Sequence, residues 1–133
     1  MIPGITSSSA ALAYAGIPVT DRRYAASFAV VTGPRDPTRV REQIRWEGLA
    51  ASAAPRVVLM GMSNLEEIVG HLLAGGRKPT TPAAVVMEGA TPRQRVVVAP
   101  LSELVKCSRE AGLGAPAAVV VGDVVRLRKP LAW

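Results

Sequence analysis

The chain has 133 residues, of which 49% are hydrophobic and 20% charged, with a formal net charge of +6 and a pI near 10.4. This apolar content excludes a disordered chain, and the length predicts one folded domain that buries about two thirds of its unfolded surface. The single cysteine excludes an internal disulfide, and the apolar runs fall far short of the roughly 20 residues that span a bilayer. The first residues also lack the basic segment of a signal peptide, so we expect a cytoplasmic protein.

The first half of the chain predicts two helices and two strands. Thr6 and the serines that follow it can cap a helix that ends near residue 16. A β-branched apolar run predicts a strand over residues 27–33. Sparse apolar positions among charged residues predict a surface helix over 38–53, and a second buried strand follows over 56–60.

The second half begins with the clearest amphipathic helix, which starts near residue 64 and ends at a Gly-Gly pair. Residues 82–88 and 94–99 predict two strands joined by a short turn, which is typical of a hairpin. A last helix is predicted over 102–111.

The final predicted strand spans residues 117–127 and contains Gly122, which indicates a bulge or a close backbone approach. Strands and helices alternate early in the chain, and a hairpin comes late. We therefore expect an α/β sandwich around a mixed sheet, with residues 1–133 as one domain.

The basic residues are mostly arginines, since only three of the 16 are lysines, at positions 78, 106 and 129. The guanidinium fork pairs with carboxylates and phosphates, which favours an anionic partner. A GC-rich coding sequence would produce the same bias. A nucleic-acid partner is disfavoured because aromatic residues make up only 4% and no binding motif is present.

Six short motifs occur in a characteristic order and spacing. They lie at residues 1–6 (Met-Ile-Pro-Gly-Ile-Thr), 14–20 (Tyr-Ala-Gly-Ile-Pro-Val-Thr), 30–33 (Val-Val-Thr-Gly), 59–61 (Leu-Met-Gly), 91–96 (Thr-Pro-Arg-Gln-Arg-Val) and 120–125 (Val-Val-Gly-Asp-Val-Val). Together they resemble the C-terminal half of the uroporphyrinogen-III C-methyltransferases, in the tetrapyrrole methylase family. The resemblance implies a three-layer α/β sandwich, the second of two domains, with S-adenosylmethionine bound between them.

The resemblance also implies a cofactor site made largely of backbone atoms. The positions that match are Thr6, Ser7, Met60, Gly61, Gly89 and Ala90. Taken alone, Thr6 and Ser7 favour a plain helix cap, a strand-end methionine such as Met60 is typical of a core residue, and Gly89 is also consistent with a hairpin turn. Glu88 and Ala90 stand where the family has Asn and Thr, which keeps the backbone contact and removes a side-chain hydroxyl.

For the anionic tetrapyrrole substrate, the family's Thr-His-Arg-Asp-Tyr motif aligns with residues 20–24. The resemblance therefore implies that Arg22 binds a propionate or acetate, and that Met60 also contacts substrate. The alternative for Arg22 is a solvated turn. Asp21 and Pro34 replace family histidines, which leaves the substrate choice open.

The remaining polar positions carry less functional information. Residues 91–95 are expected to fix the hairpin, with no catalytic role. His71 follows Glu67 by four residues and predicts an exposed ion pair or hydrogen bond, whereas Cys107 predicts a half-buried helix residue. No Cys/His cluster or Ser/His/Asp set is present, so we assign neither a metal site nor a catalytic residue.

The implied function is S-adenosylmethionine-dependent methylation of uroporphyrinogen III at C2 and C7, giving precorrin-2 for sirohaem and cobalamin biosynthesis. Full-length enzymes of this kind are expected to be homodimers. The family's N-terminal half has no counterpart in the sequence, so we expect a chain that is inactive until that domain is supplied in cis or in trans. A non-catalytic truncated or split-subunit binding module, and half of a later precorrin methyltransferase, remain as alternatives.

Overall fold

The computed structural model describes residues 1–33 and 45–131 and has one mixed sheet at its centre. Its strands are β1 (Ala29–Thr32), β2 (Arg56–Leu59), β3 (Pro82–Met87), β4 (Arg95–Pro100) and β5 (Ala117–Val121). Their spatial order is β1-β2-β5-β3-β4. The β1–β2 pair is parallel and the other three pairs are antiparallel, so the predicted mixed sheet and the predicted β3–β4 hairpin are confirmed.

The helices form a layer on each face of the sheet. They are α1 (Ser7–Tyr14), α2 (Trp46–Ala51), α3 (Leu65–Ala74), α4 (Leu104–Glu110) and the short α5 (Arg128–Leu131). Within residues 45–131, 3₁₀ turns at Met62–Asn64, Leu101–Glu103 and Asp123–Leu127 connect helices to strands. This is the three-layer sandwich that the sequence predicts.

The two faces of the sheet are both buried, and alternate strand residues separate them. In β5, Val119 belongs to the apolar cluster that contains residues of α2, α3 and α4, whereas Val120 belongs to the cluster that contains residues of α1 and the 3₁₀ turn Asp123–Leu127. Val85 and Val86 of β3 divide in the same way. Because successive side chains of a strand point to opposite faces, a sheet covered on both sides requires nearly continuous apolar strands, which explains the valine runs.

The predicted end of the last strand is wrong. The last strand ends at Val121 instead of continuing to residue 127, and an apolar 3₁₀ turn, Asp123–Leu127, follows it. At the break, Gly122 has a φ of 152°, and a Cβ there would lie 3.0 Å from the Pro55 Cα. The predicted close approach at Gly122 is therefore confirmed.

Of the helix predicted over 38–53, the structure describes only the α2 region; residues 38–44, like Pro34, lie outside the described residues.

Two buried arginines hold the α2–β2 connection against the end of β5. Arg56 donates from Nε to the Leu49 carbonyl and from Nη1 to the Ala54 carbonyl, both at 2.9 Å. Arg77 donates to the carbonyls of Ser52, Ala54 and Val121. Burial lowers the pKa of both guanidinium groups, and in Arg77 the nearby Arg56 charge adds to this effect.

The strand order brings several connecting segments together at one end of the strands, at the edge of the sheet where β2 and β3 end and β5 begins. Leu59, at the end of β2, pairs with Ala118, and Met87, at the end of β3, pairs with Ala117. The carboxyl ends of β2 and β3 therefore meet the beginning of β5. The residues that follow those strands emerge side by side, and they form the site described next.

Candidate functional site

A pocket of about 730 Å³ opens at this edge of the sheet. Its walls come from the first two turns of α1, the end of β2 and the segment after it, the end of β3 and the loop after it, and residues 115–118 at the start of β5. Leucine, methionine, valine, alanine and proline side chains supply the apolar surface. Polar groups come from Ser7, Ser63, Glu88, Thr91 and Arg93. Both the size and this mixture are typical of pockets that bind small molecules.

The amino terminus of α1 forms one wall of the pocket. Thr6 caps the helix, as predicted: its Oγ1 accepts a hydrogen bond from the Ser8 amide at 3.3 Å. Ser7, the first helical residue, lines the pocket, whereas Thr6 is not among the lining residues. Backbone amides at a helix amino terminus carry partial positive charge and suit an anionic or polar ligand.

Gly89 sets how closely the loop after β3 lies against α1. A Cβ at Gly89 would lie 2.4 Å from the Ala11 Cβ and 2.8 Å from the Ala11 Cα. Only a residue without a side chain therefore permits this contact. Both Gly89 and Ala11 line the pocket, so the packing of loop on helix fixes the shape of that wall.

The backbone around the pocket is strained at three positions. Among the described residues, the non-glycine residues with positive φ are Met60 (54°), Glu88 (47°) and Ala90 (65°). This left-handed region costs an ordinary residue on the order of 1–2 kcal/mol. Met60 and Glu88 line the pocket, and Ala90 follows Gly89 in the same loop. Strain that collects around one cavity is characteristic of binding and catalytic sites.

Hydrogen bonds hold the strained loop in place. The Glu88 amide donates to the Pro116 carbonyl at 2.9 Å, and the Ala90 amide donates to Gln94 Oε1 at 2.9 Å. Thr91 Oγ1 donates to the Glu88 carbonyl at 2.8 Å. These contacts of Thr91 and Gln94 agree with the role predicted for residues 91–95 in fixing the hairpin.

The same hydrogen-bond network joins the loop to the opposite wall, because Gln94 Nε2 donates to the Tyr14 carbonyl of α1 at 3.3 Å.

Met60 and Gly61 have different positions although they are neighbours. The Met60 side chain is 58% exposed and lines the pocket, so it is not the core residue that a strand-end methionine usually is. Gly61 is absent from the lining and packs against Gly33, where an added Cβ would lie 2.7 Å from the Gly61 Cα.

Arg22 lies outside the pocket, in the connection between α1 and β1. Asp21 and Ala25 exchange backbone hydrogen bonds of 3.1 and 2.9 Å, which makes a tight turn with Arg22 exposed on it. Asp21 pairs with Arg23, whose Nε donates to Oδ1 at 3.0 Å. This hydrogen bond lowers the pKa of Asp21 and raises that of Arg23. The structure therefore does not bring Arg22 into one cavity with Met60.

An acidic residue, Glu88, lines the pocket where the sequence predicted only backbone contacts. Glu88 Oε2 accepts a hydrogen bond from Arg93 Nε at 2.8 Å. The Glu88 side chain is 23% exposed and that of Arg93 78%. Donating this hydrogen bond to Glu88 raises the pKa of Arg93.

Other predicted features lie away from the pocket. His71 Nε2 lies 3.6 Å from Glu67 Oε1, which confirms the predicted pair, and the imidazole also stacks on Trp46 at 5.8 Å between ring centroids. Cys107 is half-buried in α4, as predicted. Within residues 1–33 and 45–131, no group of three His, Cys, Asp or Glu side chains is placed to hold a metal ion. None of the helices in those ranges has the length and apolarity needed to span a membrane.

Residues 1–105 match the tetrapyrrole (corrin/porphyrin) methylases, and the chain belongs to this family. It is 42% identical over 133 residues to a uroporphyrinogen-III C-methyltransferase of Sinorhizobium sp., covering 100% of this chain and 48% of that protein. It is 42% identical over 127 residues to an S-adenosyl-L-methionine-dependent uroporphyrinogen III methyltransferase of Methanosarcina barkeri, covering 96% and 50%. The chain therefore spans about half the length of these curated relatives.

Solved structures agree with the fold. The uroporphyrin-III C-methyltransferase of Thermus thermophilus, complexed with S-adenyl homocysteine, superposes with a TM-score of 0.72 at 34% identity, covering 95% of this chain and 53% of that one. A cobalt precorrin-4 methyltransferase gives a TM-score of 0.83 at 22% identity, covering 93% and 52%, and that likeness concerns the fold alone. The predicted family and fold class are confirmed.

Proposed function

We propose that residues 1–133 form the C-terminal domain of an S-adenosylmethionine-dependent uroporphyrinogen-III C-methyltransferase, which methylates C2 and C7 to give precorrin-2. The observation that carries this proposal is the pocket at the carboxyl ends of β2 and β3, with its strained rim. The chain around it is 42% identical to the Sinorhizobium methyltransferase. We place the reaction in sirohaem and cobalamin biosynthesis.

The pocket has the chemistry that S-adenosylmethionine requires. When bound, this molecule supplies an electrophilic methyl group on a sulfonium centre. Leu59, Met60 and Val86 provide apolar surface for a flat base and exclude water, and the polarisable Met60 thioether suits such a contact. Backbone groups at Gly89 and Ala90 and the amides at the start of α1 would hold the polar parts.

The part of this domain in catalysis is positioning. Holding a ring carbon in line with the methyl group replaces a bimolecular encounter by an ordered complex, which can account for much of the acceleration. Exposed Arg22 is the side chain that we assign to a propionate or acetate of the tetrapyrrole, because its guanidinium can bind a carboxylate bidentately. With Arg22 outside the pocket, the macrocycle would extend from the pocket towards the α1–β1 turn.

We further propose that turnover requires a second domain that closes the pocket, and that the two-domain protein works as a homodimer. Met60 at the pocket is exposed, and Ile2 and Ile5, which precede α1, are 96% and 86% exposed. Relatives of about twice this length match the chain over half of theirs. A facing domain would cover these apolar side chains and exclude water from the reacting centre.

The test is complementation. Purified residues 1–133 should give no methylated product from uroporphyrinogen III and S-adenosylmethionine. A chimera in which these residues replace the matching half of the Sinorhizobium enzyme should form precorrin-2. In this chimera, Arg22→Gln should raise KM for the tetrapyrrole. The control is Arg109→Gln, which changes another exposed arginine and should leave KM unchanged. A folded but inert chimera would refute the proposed function and favour a binding module, whereas turnover by the isolated chain would refute the need for a second domain.

The exposed apolar side chains make a separate prediction for the isolated chain. It should self-associate in sedimentation velocity experiments, and Ile2→Ser with Ile5→Ser should reduce that association. A monodisperse monomer at tens of micromolar would contradict the proposed interface.

A further inference from the structure

Glu88 is the one carboxylate among the described residues that line the pocket, and it has a well-defined position there. Its amide is tied to the Pro116 carbonyl, and its own carbonyl accepts from Thr91 Oγ1. Its φ of 47° is sparsely populated for a residue with a side chain. The neighbouring contacts therefore hold Glu88 in a conformation that it would not adopt by preference.

The carboxylate is only partly satisfied in this position. A carboxylate offers about four acceptor positions, and within residues 1–33 and 45–131 one of them takes the hydrogen bond from Arg93 Nε at 2.8 Å. Arg93 is 78% exposed, whereas the Glu88 side chain is 23% exposed, and both residues line the pocket. Acceptor positions thus remain for a group inside the pocket.

A carboxylate held in this way selects ligands that bring hydrogen-bond donors. We propose that Glu88, oriented by Arg93, accepts hydrogen bonds from the donor groups of S-adenosylmethionine, and that it is a specificity-determining binding residue of this pocket. The candidate donors are the two ribose hydroxyls and the α-ammonium group. Both suit a carboxylate, the first as a bidentate pair and the second through a charge-assisted bond. This inference rests on the proposed function, because it presumes that S-adenosylmethionine occupies the pocket.

The assignment also accounts for the ion pair at the rim. The hydrogen bond from Arg93 limits the rotamers of Glu88, which lowers the entropy lost when a ligand binds. Arg93 is then a positioning residue, and its loss should weaken binding less than the loss of Glu88 itself.

The experiment is ligand-observed saturation-transfer difference NMR on the full chain, which tolerates weak binding and self-association. The probe is S-adenosylhomocysteine, titrated against the wild type, Glu88→Gln and Arg93→Gln. A charge-assisted hydrogen bond corresponds to roughly a tenfold or larger rise in Kd for Glu88→Gln, with a smaller rise for Arg93→Gln. The matched control is Glu66→Gln, because Glu66 pairs with Arg109 at 2.9 Å on the surface, away from the pocket.

Two further arms complete the test. Methylthioadenosine lacks the α-ammonium group. If the ribose hydroxyls donate to Glu88, Glu88→Gln should bind methylthioadenosine more weakly than the wild type does. If the α-ammonium group is the donor, Glu88→Gln and the wild type should bind methylthioadenosine equally. Glu88→Asp keeps the charge but shortens the side chain, so it should bind between the wild type and Glu88→Gln. It also provides a readout if Glu88→Gln does not fold.

The outcomes separate this inference from the proposed function. An unchanged Kd for S-adenosylhomocysteine in folded Glu88→Gln or Glu88→Asp overturns the role of Glu88 and leaves the cofactor pocket standing. No saturation transfer in the wild type overturns the cofactor pocket, and the role of Glu88 with it.

Discussion

Replacing Gly89 with alanine tests whether the pocket wall depends on direct contact between the β3–β4 loop and α1. The new Cβ would lie 2.4 Å from the Ala11 Cβ, about 1 Å closer than the 3.4 Å at which ordinary contact begins. It would also lie 2.8 Å from the Ala11 Cα, so a side-chain rotation cannot relieve the overlap. The helix or the loop must move by about 1 Å.

Overpacking of this kind costs roughly 1–3 kcal/mol. For a chain of this length, we expect the melting temperature of Gly89→Ala to fall by roughly 4 °C per kcal/mol. The urea midpoint, measured by circular dichroism, should fall while the m-value stays constant.

The matched control is Gly70→Ala, which lies inside α3 with no atom within 4 Å of the new Cβ. This change should stabilise the chain by about 0.5–1 kcal/mol, because alanine is the better helix former. If Gly89→Ala is as stable as Gly70→Ala, the close packing of loop on helix is refuted as the constraint on the wall.

Three other changes test separate contacts. Thr6→Ala removes the α1 cap and should lower the free energy of unfolding in urea by about 1 kcal/mol. The control is Ser9→Ala, which removes an exposed hydrogen bond of 3.3 Å to the Thr6 carbonyl and should change the stability little. Arg77→Met leaves buried carbonyls without their guanidinium donor and should lower the free energy of unfolding by about 2 kcal/mol. The loss is limited because the substitution also removes a buried charge. Amide exchange should locate the destabilisation in the α2–β2 connection. Pairing with Arg23 lowers the pKa of Asp21, so the ion pair should order the turn fully above the unfolded pKa of about 3.9. This ordering should be lost as the pH falls through the lower pKa of the folded state. NMR of the turn should detect the change in the wild type and not in Asp21→Asn.

Much of the fold could be predicted from the sequence because its signals are local. Continuous valine runs indicate strands buried on both faces, and the Gly- and Pro-containing turn after β3 indicates a hairpin. The end of β5 could not be predicted in the same way. Val124 and Val125 continue the apolar run and are buried, but they lie in a 3₁₀ turn. A short apolar run is compatible with either structure, and contact between Gly122 and Pro55 decides between them.

The site was only partly predictable. Ser7, Met60 and Gly89 line the pocket, whereas Thr6, Gly61 and Ala90 adjoin it. Residues 115–118 were missed because β5 inserts between β2 and β3, and nothing local in the sequence specifies that order. Glu88 and Arg93 were missed for a different reason: their motif predicts a turn, and a turn does not reveal which of its side chains face a cavity.

The loop after β3 combines close packing, backbone strain and hydrogen bonding within a few residues. Gly89 contacts α1 directly, while Glu88 and Ala90 on either side of it adopt positive φ. Such a conformation persists only if neighbouring contacts over-determine it, and here Pro116, at the start of β5, and Gln94, at the far end of the same loop, supply them. The pocket is therefore pre-organised before a ligand arrives, so a ligand that uses these backbone groups need not bear the cost of ordering them. This explains how a domain can keep a site of this kind even where side chains, such as Glu88 and Ala90, depart from the family pattern.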